Sequence, residues 1–419
     1  MSVVAPAVPV TTSMAEDSHP TRWRMLGLLS IAELLGMSLW FAGSAVALQL
    51  ATRYGVSVDQ TVWLTTVVQF GFVCGTAAAA LLNLADLVQS RWYFAIAALI
   101  GAAVNAGVAT TSSFGVALVL RFLTGCALAG VYPPAMKMAS TWFRSRRGLA
   151  IGTVVGALTV GKATPYLVHS FPNASAESVI FTASACAAIA GVLVALFYAD
   201  GPYPFPPRPF SWGLVGSVFK QREWRLATGG YLGHMFELYS YWTWIPLFIG
   251  ESLVASGMTA SPTTSSLASL VAFTAIAIGG IGCVWGGLVA DLRGRERLVT
   301  LAMAISGACS VLIPVTFGHS LLILAPITWV WGFFVIADSA QFSALVTESV
   351  PPHAVGTALT IQTSLGFLLT MVSIPLVPPM ARLVGWKWAF PMLALGPAAG
   401  IAMIRRLVNL KRGHGSQPA

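Results

Sequence analysis

Six ionisable side chains stand inside long apolar runs of this sequence: Glu33, Arg121, Lys162, His234, Glu237 and Asp338. Such a group at the centre of a bilayer costs about 2.5–3.5 kcal/mol on insertion scales, so each needs a partner or a task. The tasks open to these types are few. A carboxyl group shielded from water can carry a proton, an arginine or lysine can hold an anion, and a histidine can do either. Aromatic and polar residues recur beside them at helical spacing. Glu33, Met37 and Trp40 fall at i, i+4, i+7; His234, Glu237 and Tyr241 at i, i+3, i+7; Trp331, Phe334, Asp338 and Gln341 at i, i+3, i+7, i+10. The candidate substrate and proton site is therefore Glu33, Trp40, Arg121, Lys162, His234, Glu237, Tyr241, Asp338 and Gln341. Each also has an ordinary use: Arg121 can serve helix carbonyls, Glu33 and Glu237 can be a symmetric structural pair, Asp338 can sit in a hydrogen-bonded core, and His234 can join two helices. His169, His319 and His353 lie near helix ends and read as loop residues.

The elements that carry these residues must be membrane helices. Of 419 residues, 56% are hydrophobic and only 9% are charged, against about 25% charged in soluble domains; the mean hydropathy is +0.78. So few charges cannot cover a soluble surface, which excludes a soluble enzyme, a nucleic-acid-binding domain and a disordered chain despite the net +9. The five cysteines, Cys74, Cys126, Cys186, Cys283 and Cys309, are odd in number and unpaired in spacing, and read as free thiols rather than a disulfide framework or metal site. The N-terminal tail has no apolar core followed by a cleavage site, so the first span itself is the expected insertion signal.

At about 20 apolar residues per crossing, twelve spans are expected, near 25–50, 61–84, 93–111, 114–138, 148–170, 177–198, 226–250, 267–290, 298–317, 320–347, 354–378 and 387–408. Pro202, Pro204, Pro206, Pro207 and Pro209 form a stiff stretch after the sixth, followed by the amphipathic piece 214–224 with Lys220, Arg222 and Glu223. The expected organisation is a tail (1–24), a six-helix bundle (25–199), a linker (200–225), a second bundle (226–408) and a tail (409–419). Eighteen of the 23 Lys and Arg fall in segments on one side of these spans, among them Arg144, Arg147 and Arg208; three fall on the other, and Arg121 and Lys162 lie within spans. The bias places both termini in the cytoplasm, in a cell inner membrane. The basic balance is thus a matter of orientation and not a nucleic-acid footprint.

The halves repeat. Asp86 in the 2–3 loop corresponds to Asp291 in the 8–9 loop, 205 residues on, while Glu33 and Trp40 correspond to Glu237 and Trp244, each 204 on. Gly148 opens the fifth span and Gly356 the eleventh, 208 apart. Three near-constant offsets indicate a duplicated half, a plan found among secondary transporters.

With these residues in view, the sequence resembles the major facilitator superfamily over its whole length. Gly287, Asp291, Gly294 and Arg295 resemble that superfamily's loop signature; the first-half copy keeps Asp86 and Arg91 but has Leu82 and Gln89 where glycines are usual. Arg121 followed by Gly125 resembles its fourth-helix signature, and Trp142-Phe143 with Arg147-Gly148-Leu149-Ala150-Ile151-Gly152 resembles, more distantly, nitrate/nitrite and cyanate-type porters. Those nitrate porters hold their anion between arginines in helices 2 and 8, whereas here span 2 offers Gln69 and span 8 no cation, which disfavours nitrate. The antiporter Gly-Pro signature of helix 5 is poorly matched by residues 156–162.

The resemblance implies an all-α polytopic membrane protein of twelve transmembrane helices in two pseudo-symmetric six-helix bundles. In that architecture helices 1, 4, 7 and 10 line a central cavity, completed by 2, 5, 8 and 11. All six intramembrane ionisable residues fall on those helices, and none on 3, 6, 9 or 12. Asp86, Arg91, Gly287, Asp291, Gly294 and Arg295 are the expected conformational latch. The function expected is alternating-access secondary transport, coupled to protons and carrying a small organic anion inward. The alternatives are a proton antiporter exporting an amphipathic or cationic compound, and a non-transporting receptor or assembly factor on the same fold. No enzyme, P-loop, cofactor or metal signature is present. The expected partners are the lipid bilayer, protons and a small-molecule substrate, with no nucleic acid, and the expected state is a monomer.

Overall fold

The computed structural model describes residues 19–82, 84–143, 146–203 and 211–415. Most of the N-terminal tail, Arg144 and the linker residues Pro204, Pro206, Pro207, Arg208 and Pro209 lie outside the described residues, as do the side chains of Ala85, Asp86, Arg147 and His414. The described chain is helical and contains no strand.

The first half is built of α1 (Arg22–Met37), α2 (Ala42–Ala45), α3 (Ala47–Tyr54), α4 (Trp63–Leu81), α5 (Leu84–Leu87), α6 (Ser90–Thr110), α7 (Phe114–Leu128), α8 (Tyr132–Ser140), α9 (Arg147–His169) and α10 (Ala176–Phe197). A short helix α11 (Trp212–Lys220) follows, at the expected amphipathic piece. The second half comprises α12 (Arg222–Ala255), α13 (Pro262–Arg293), α14 (Arg295–Leu312), α15 (Leu321–Ala337), α16 (Ser339–Glu348), α17 (Val355–Val384) and α18 (Leu395–Gly415).

Among the described residues, ten segments are long and apolar enough to cross a bilayer. Two more have the reach but not the uniform apolarity. The first, Arg22–Tyr54, is broken into α1, α2 and α3, and α12 has 34 residues but carries His234, Glu237 and three tyrosines. Counted in order they supply the first and seventh spans, consistent with twelve. Element ends differ from the expected ones at the last span, where 3-10 turns at Trp386–Trp388 and Pro391–Ala394 delay α18 and the helix then continues to Gly415. Exposed apolar side chains such as Ile96 and Ile100 on α6, Ile189 and Leu196 on α10, and Leu301 on α14 mark the lipid-facing helices.

Breaks in the helices recur at equivalent places. The fourth span divides between α7 and α8 around Gly130, and the tenth divides between α15 and α16 at Asp338, 208 residues later. In the first span, Ser38 Oγ bonds back to Leu35 O at 2.6 Å and across to Ala183 O at 3.0 Å. Such back-bonding competes with the helix ladder, and the regular helix stops at Met37.

Two seams join the halves, α9 against α13 and α4 against α17. The first is a glycine contact. A Cβ on Gly156 would stand 2.7 Å from Gly280 O, one on Gly280 2.9 Å from Gly156 O, and one on Gly152 3.0 Å from Cys283 O. Small residues allow backbones to touch where lipid offers no hydrophobic drive to associate.

Candidate functional site

Lys162 is the point where the two halves meet. Its neighbour Gly161 lies in backbone contact with Leu34 O of α1, which pins α9 against α1 and leaves Lys162 directed towards α12. Its side chain is buried, and Nζ donates to Tyr239 Oη at 2.5 Å. The same Nζ lies 3.9 Å from the Trp40 ring centroid, 4.7 Å from Tyr239 and 5.2 Å from Trp242. An ammonium over the face of an aromatic ring is attracted by its quadrupole, by about 2 kcal/mol where both are desolvated. The second seam adds Phe72 from α4 and Phe367 from α17, with ring centroids 4.6 Å apart and 5.1 and 5.6 Å from Trp40. Three rings from both halves thus face one cation, with Phe72 and Phe367 packed behind them, and among the described residues no carboxylate stands within ion-pair distance of it.

Unsatisfied polar groups gather on the same elements. Both oxygens of Glu33 are buried with no hydrogen-bond partner, as are the indole nitrogens of Trp40 and Trp242 and the amides of Gln69 and Gln362. Buried polar groups are nearly always paired. Those on α1, α4, α12 and α17 leave donors and acceptors that a polar ligand can engage.

Arg121 is placed differently. Its guanidinium donates to Leu64 O at 3.1 Å, Leu39 O at 2.8 Å, Asn105 Oδ1 at 2.8 Å and Trp40 O at 2.5 Å. Leu39 and Trp40 belong to the break between α1 and α2, whose carbonyls lack helical partners. Arg121 supplies those partners. Gly43 lies against it, where a Cβ would stand 3.4 Å from Arg121 Nε.

In the second half, Glu237 accepts from Ser306 Oγ at 2.7 Å and from Trp331 Nε1 at 2.9 Å. Tyr241 stacks on Trp331 with centroids 4.5 Å apart and donates to Thr328 O at 2.8 Å. His234 Nδ1 lies 2.9 Å from Asp338 Oδ1, both side chains buried, at the break between α15 and α16. Gln341 accepts from Arg295 Nη1 at 2.9 Å. It therefore sits with the loop residues and away from the ring of aromatics. The expected set thus divides into four: Glu33, Trp40 and Lys162 along the α1–α9 contact and the seam; Arg121 in the first bundle; His234, Glu237, Tyr241 and Asp338 in the second; and Gln341 with Arg295.

The expected latch residues cluster at the end of the molecule rich in Lys and Arg. A Cβ on Gly148 would stand 3.1 Å from Asp291 Oδ2, so this carboxylate faces the first turn of α9 across the halves. Anionic groups are stabilised at helix N-termini. Gly294, with φ of 90°, is the single residue between α13 and α14, a conformation suited to glycine. Arg295 donates to Glu348 Oε1 at 2.9 Å as well as to Gln341. Gly287 approaches Gly148 O, and Arg91 stacks on Trp92 at 5.0 Å. At the opposite end, Arg382 pairs with Asp59 and His169 Nδ1 lies 2.8 Å from Ser269 Oγ, both across the halves. Contacts between the halves thus occur at both ends of the molecule.

Tyr239, Trp242, Phe72 and Phe367 join the candidate site, and helical spacing from the charged residues does not find them. Tyr239 and Trp242 fall on a different stripe of α12 from His234, Glu237 and Tyr241. The signal they leave is density: Tyr239, Tyr241, Trp242 and Trp244 lie within six residues. Asn105 and Ser306, on the outer helices α6 and α14, lie among small residues and carry no sequence mark.

The sequence profile of the Major Facilitator Superfamily matches residues 28–282. A galacturonate transporter of Dickeya chrysanthemi is 29% identical over 149 residues, covering 35% of this chain and 43% of that protein. The MFS transporter asaE of Aspergillus flavus is 25% identical over 266 residues, 60% of this chain and 54% of that one. The matches span about half the length of these curated relatives. Among solved structures, a mutant of the nucleoside transporter NupG superposes with a TM-score of 0.69 at 16% identity, over 91% of this chain and 99% of that one.

Proposed function

The chain belongs to the Major Facilitator Superfamily and is a multi-pass membrane protein; we propose that it is a transporter that couples the inward movement of a small organic anion, a carboxylate, to protons. The observation that carries this reading is Lys162, a buried ammonium on the seam that feels the charge of Glu33 but has no carboxylate within ion-pair distance among the described residues. A carboxylate substrate would supply the missing counter-charge. Charge-assisted bonds to such a group are about twice as strong as neutral ones. The unpaired amides of Gln69 and Gln362 and the indole N–H groups of Trp40 and Trp242 would bond the rest of the molecule. Similarity to a protein named a galacturonate transporter fits a carboxylate cargo.

Glu33 is the proposed proton carrier. Its carboxyl group has no donor on either oxygen and lies on the helix that touches α9 beside Lys162. A proton on Glu33 and an anion on Lys162 together leave the site neutral, which lets the halves rock past it. The glycine seam and the Asp291 cap would open in one direction, and the Asp59–Arg382 and His169–Ser269 contacts in the other. The charge bias sets the Lys- and Arg-rich end, with both termini, in the cytoplasm of a cell inner membrane. The protein acts as a monomer, each chain holding one complete site.

One observation favours the antiporter reading. The rings around Lys162 already hold an ammonium, so an organic cation could take the same place if Lys162 withdrew. The sign of the proton gradient separates the two. Liposomes bearing the protein should accumulate labelled galacturonate when the outside is acidic. Accumulation of methyl viologen with an acidic interior, and no galacturonate uptake in either direction, would replace the first reading with the second.

A further inference from the structure

At the basic end of the molecule, between α13, α14 and α18, lies a cavity of about 730 Å³ that plays no part in the central site. Arg293, Arg297, Lys411 and Arg412 line it, with Glu296 the one acidic group among its lining residues. Glu296 is engaged by Lys411, with Nζ 2.8 Å from Oε1. Neither Arg293 nor Arg297 pairs with a carboxylate among the described residues. The walls below the charges are apolar: Leu301, Ala304 and Val408. A second hollow of about 310 Å³ continues from it, sharing Arg293, Arg297 and Leu301 and running on past Trp285 and Val289.

The two hollows make one groove with a cationic head and an apolar stem. The stem lies on α13 and α14, both candidate spans, and Leu301 is 44% exposed, so it opens onto hydrocarbon. The head lies at the Gly294 turn, where the spans end. We infer that this groove is a binding site for an anionic phospholipid, with the headgroup phosphate held by Arg293 and Arg297, Lys411 and Arg412 at the rim, and an acyl chain along Trp285 and Leu301. Basic pockets between helices at the membrane boundary suit such headgroups, and arginine forks match phosphate oxygens in pairs. A soluble anion would use the head and leave the stem empty. An acidic protein segment would meet the head but not the hydrocarbon-facing stem. The lipid is the occupant whose chemistry fits both parts.

The site adjoins the gate. Arg293 and Arg295 flank the same Gly294 turn, and Arg295 holds Gln341 and Glu348 of α16 while Asp291 faces α9. A lipid on Arg293 therefore steadies the turn that carries the latch, so anionic lipid favours the state closed at this end.

The test is native mass spectrometry of the full-length protein with phosphatidylglycerol or phosphatidylcholine, alongside thermal unfolding in mixed micelles of each. The expected result is a retained phosphatidylglycerol adduct and a higher unfolding temperature than in phosphatidylcholine. The double variant Arg293→Gln/Arg297→Gln should weaken that binding about thirtyfold, taking about fivefold for each basic side chain near a charged membrane surface. Equal retention of the two lipids by the wild-type protein would overturn the inference, and this comparison requires no variant to fold. Inorganic phosphate or glycerol phosphate reproducing the full stabilisation would overturn it too, by showing that the head acts alone. A Lys162→Gln protein should keep the lipid, so this site and the transport reading fail or survive separately.

Discussion

Glu33 and Glu237 occupy equivalent positions in the two halves, 204 residues apart, and both are buried. Their surroundings are opposite. Glu237 is held by Ser306 and Trp331 of its own bundle, while Glu33 has no donor on either oxygen. A duplicated residue has thus become a fixed joint in one half and an open group in the other. The open one lies on the helix in backbone contact with α9 at Gly161, beside the cation Lys162. The two halves share a frame, and the unpaired polar groups proposed to do the chemistry lie on the first half and on the seam.

The largest way to break this comparison is at the seam. Lys162→Gln removes the proposed counter-charge and should weaken carboxylate binding by about 2–5 kcal/mol, roughly thirtyfold or more, in a titration of galacturonate followed by thermal shift. Unchanged affinity would remove the anion role. Next comes the contrast itself. Glu237→Ala leaves the Trp331 donor unpaired and Ser306 with only Met303 O, and should cost about 1–3 kcal/mol in stability. Glu33→Gln breaks no bond, so thermal unfolding should show no loss, whereas gradient-driven accumulation should vanish and substrate exchange persist. If Glu33→Gln unfolds early, or Glu237→Ala does not, the roles are not divided as described.

A smaller change sharpens the fixed joint. Trp331→Phe keeps a ring against Tyr241 but withdraws the N–H from Glu237, for an expected loss of about 1 kcal/mol in denaturant unfolding. The smallest effect belongs to the far-end pair of Asp59 and Arg382, whose side chains are 46% and 62% exposed. Asp59→Asn should change stability by about 0.2–1 kcal/mol. A larger loss would mean that this pair, rather than the glycine seam, holds the halves together.

The sequence made the fold readable because the bilayer forces long apolar runs and leaves few charges to interpret. Lys162 was readable for the same reason, as a cation alone in an apolar helix. Other assignments needed packing. Arg121 has the same sequence signature as a ligand-binding cation, yet it closes the helix break at Leu39 and Trp40, and a break without proline leaves little trace in sequence. Gln341 continues the stripe of Trp331 and Asp338, but the helix bends at Asp338, so the stripe does not stay on one face and Gln341 joins Arg295. Tyr239 and Phe367 serve the site from partner helices, and no spacing along one helix can reveal a neighbour across a seam.

The central claim is that Lys162, on the seam between the halves, is where the transported carboxylate binds. Proton-driven uptake of labelled galacturonate into liposomes tests it most directly, comparing the wild-type protein with Lys162→Gln at equal reconstitution. The wild type should accumulate galacturonate under an acidic exterior, and the variant should show no uptake above protein-free liposomes. Uptake by Lys162→Gln at the wild-type rate, or no uptake by the wild type, would contradict it.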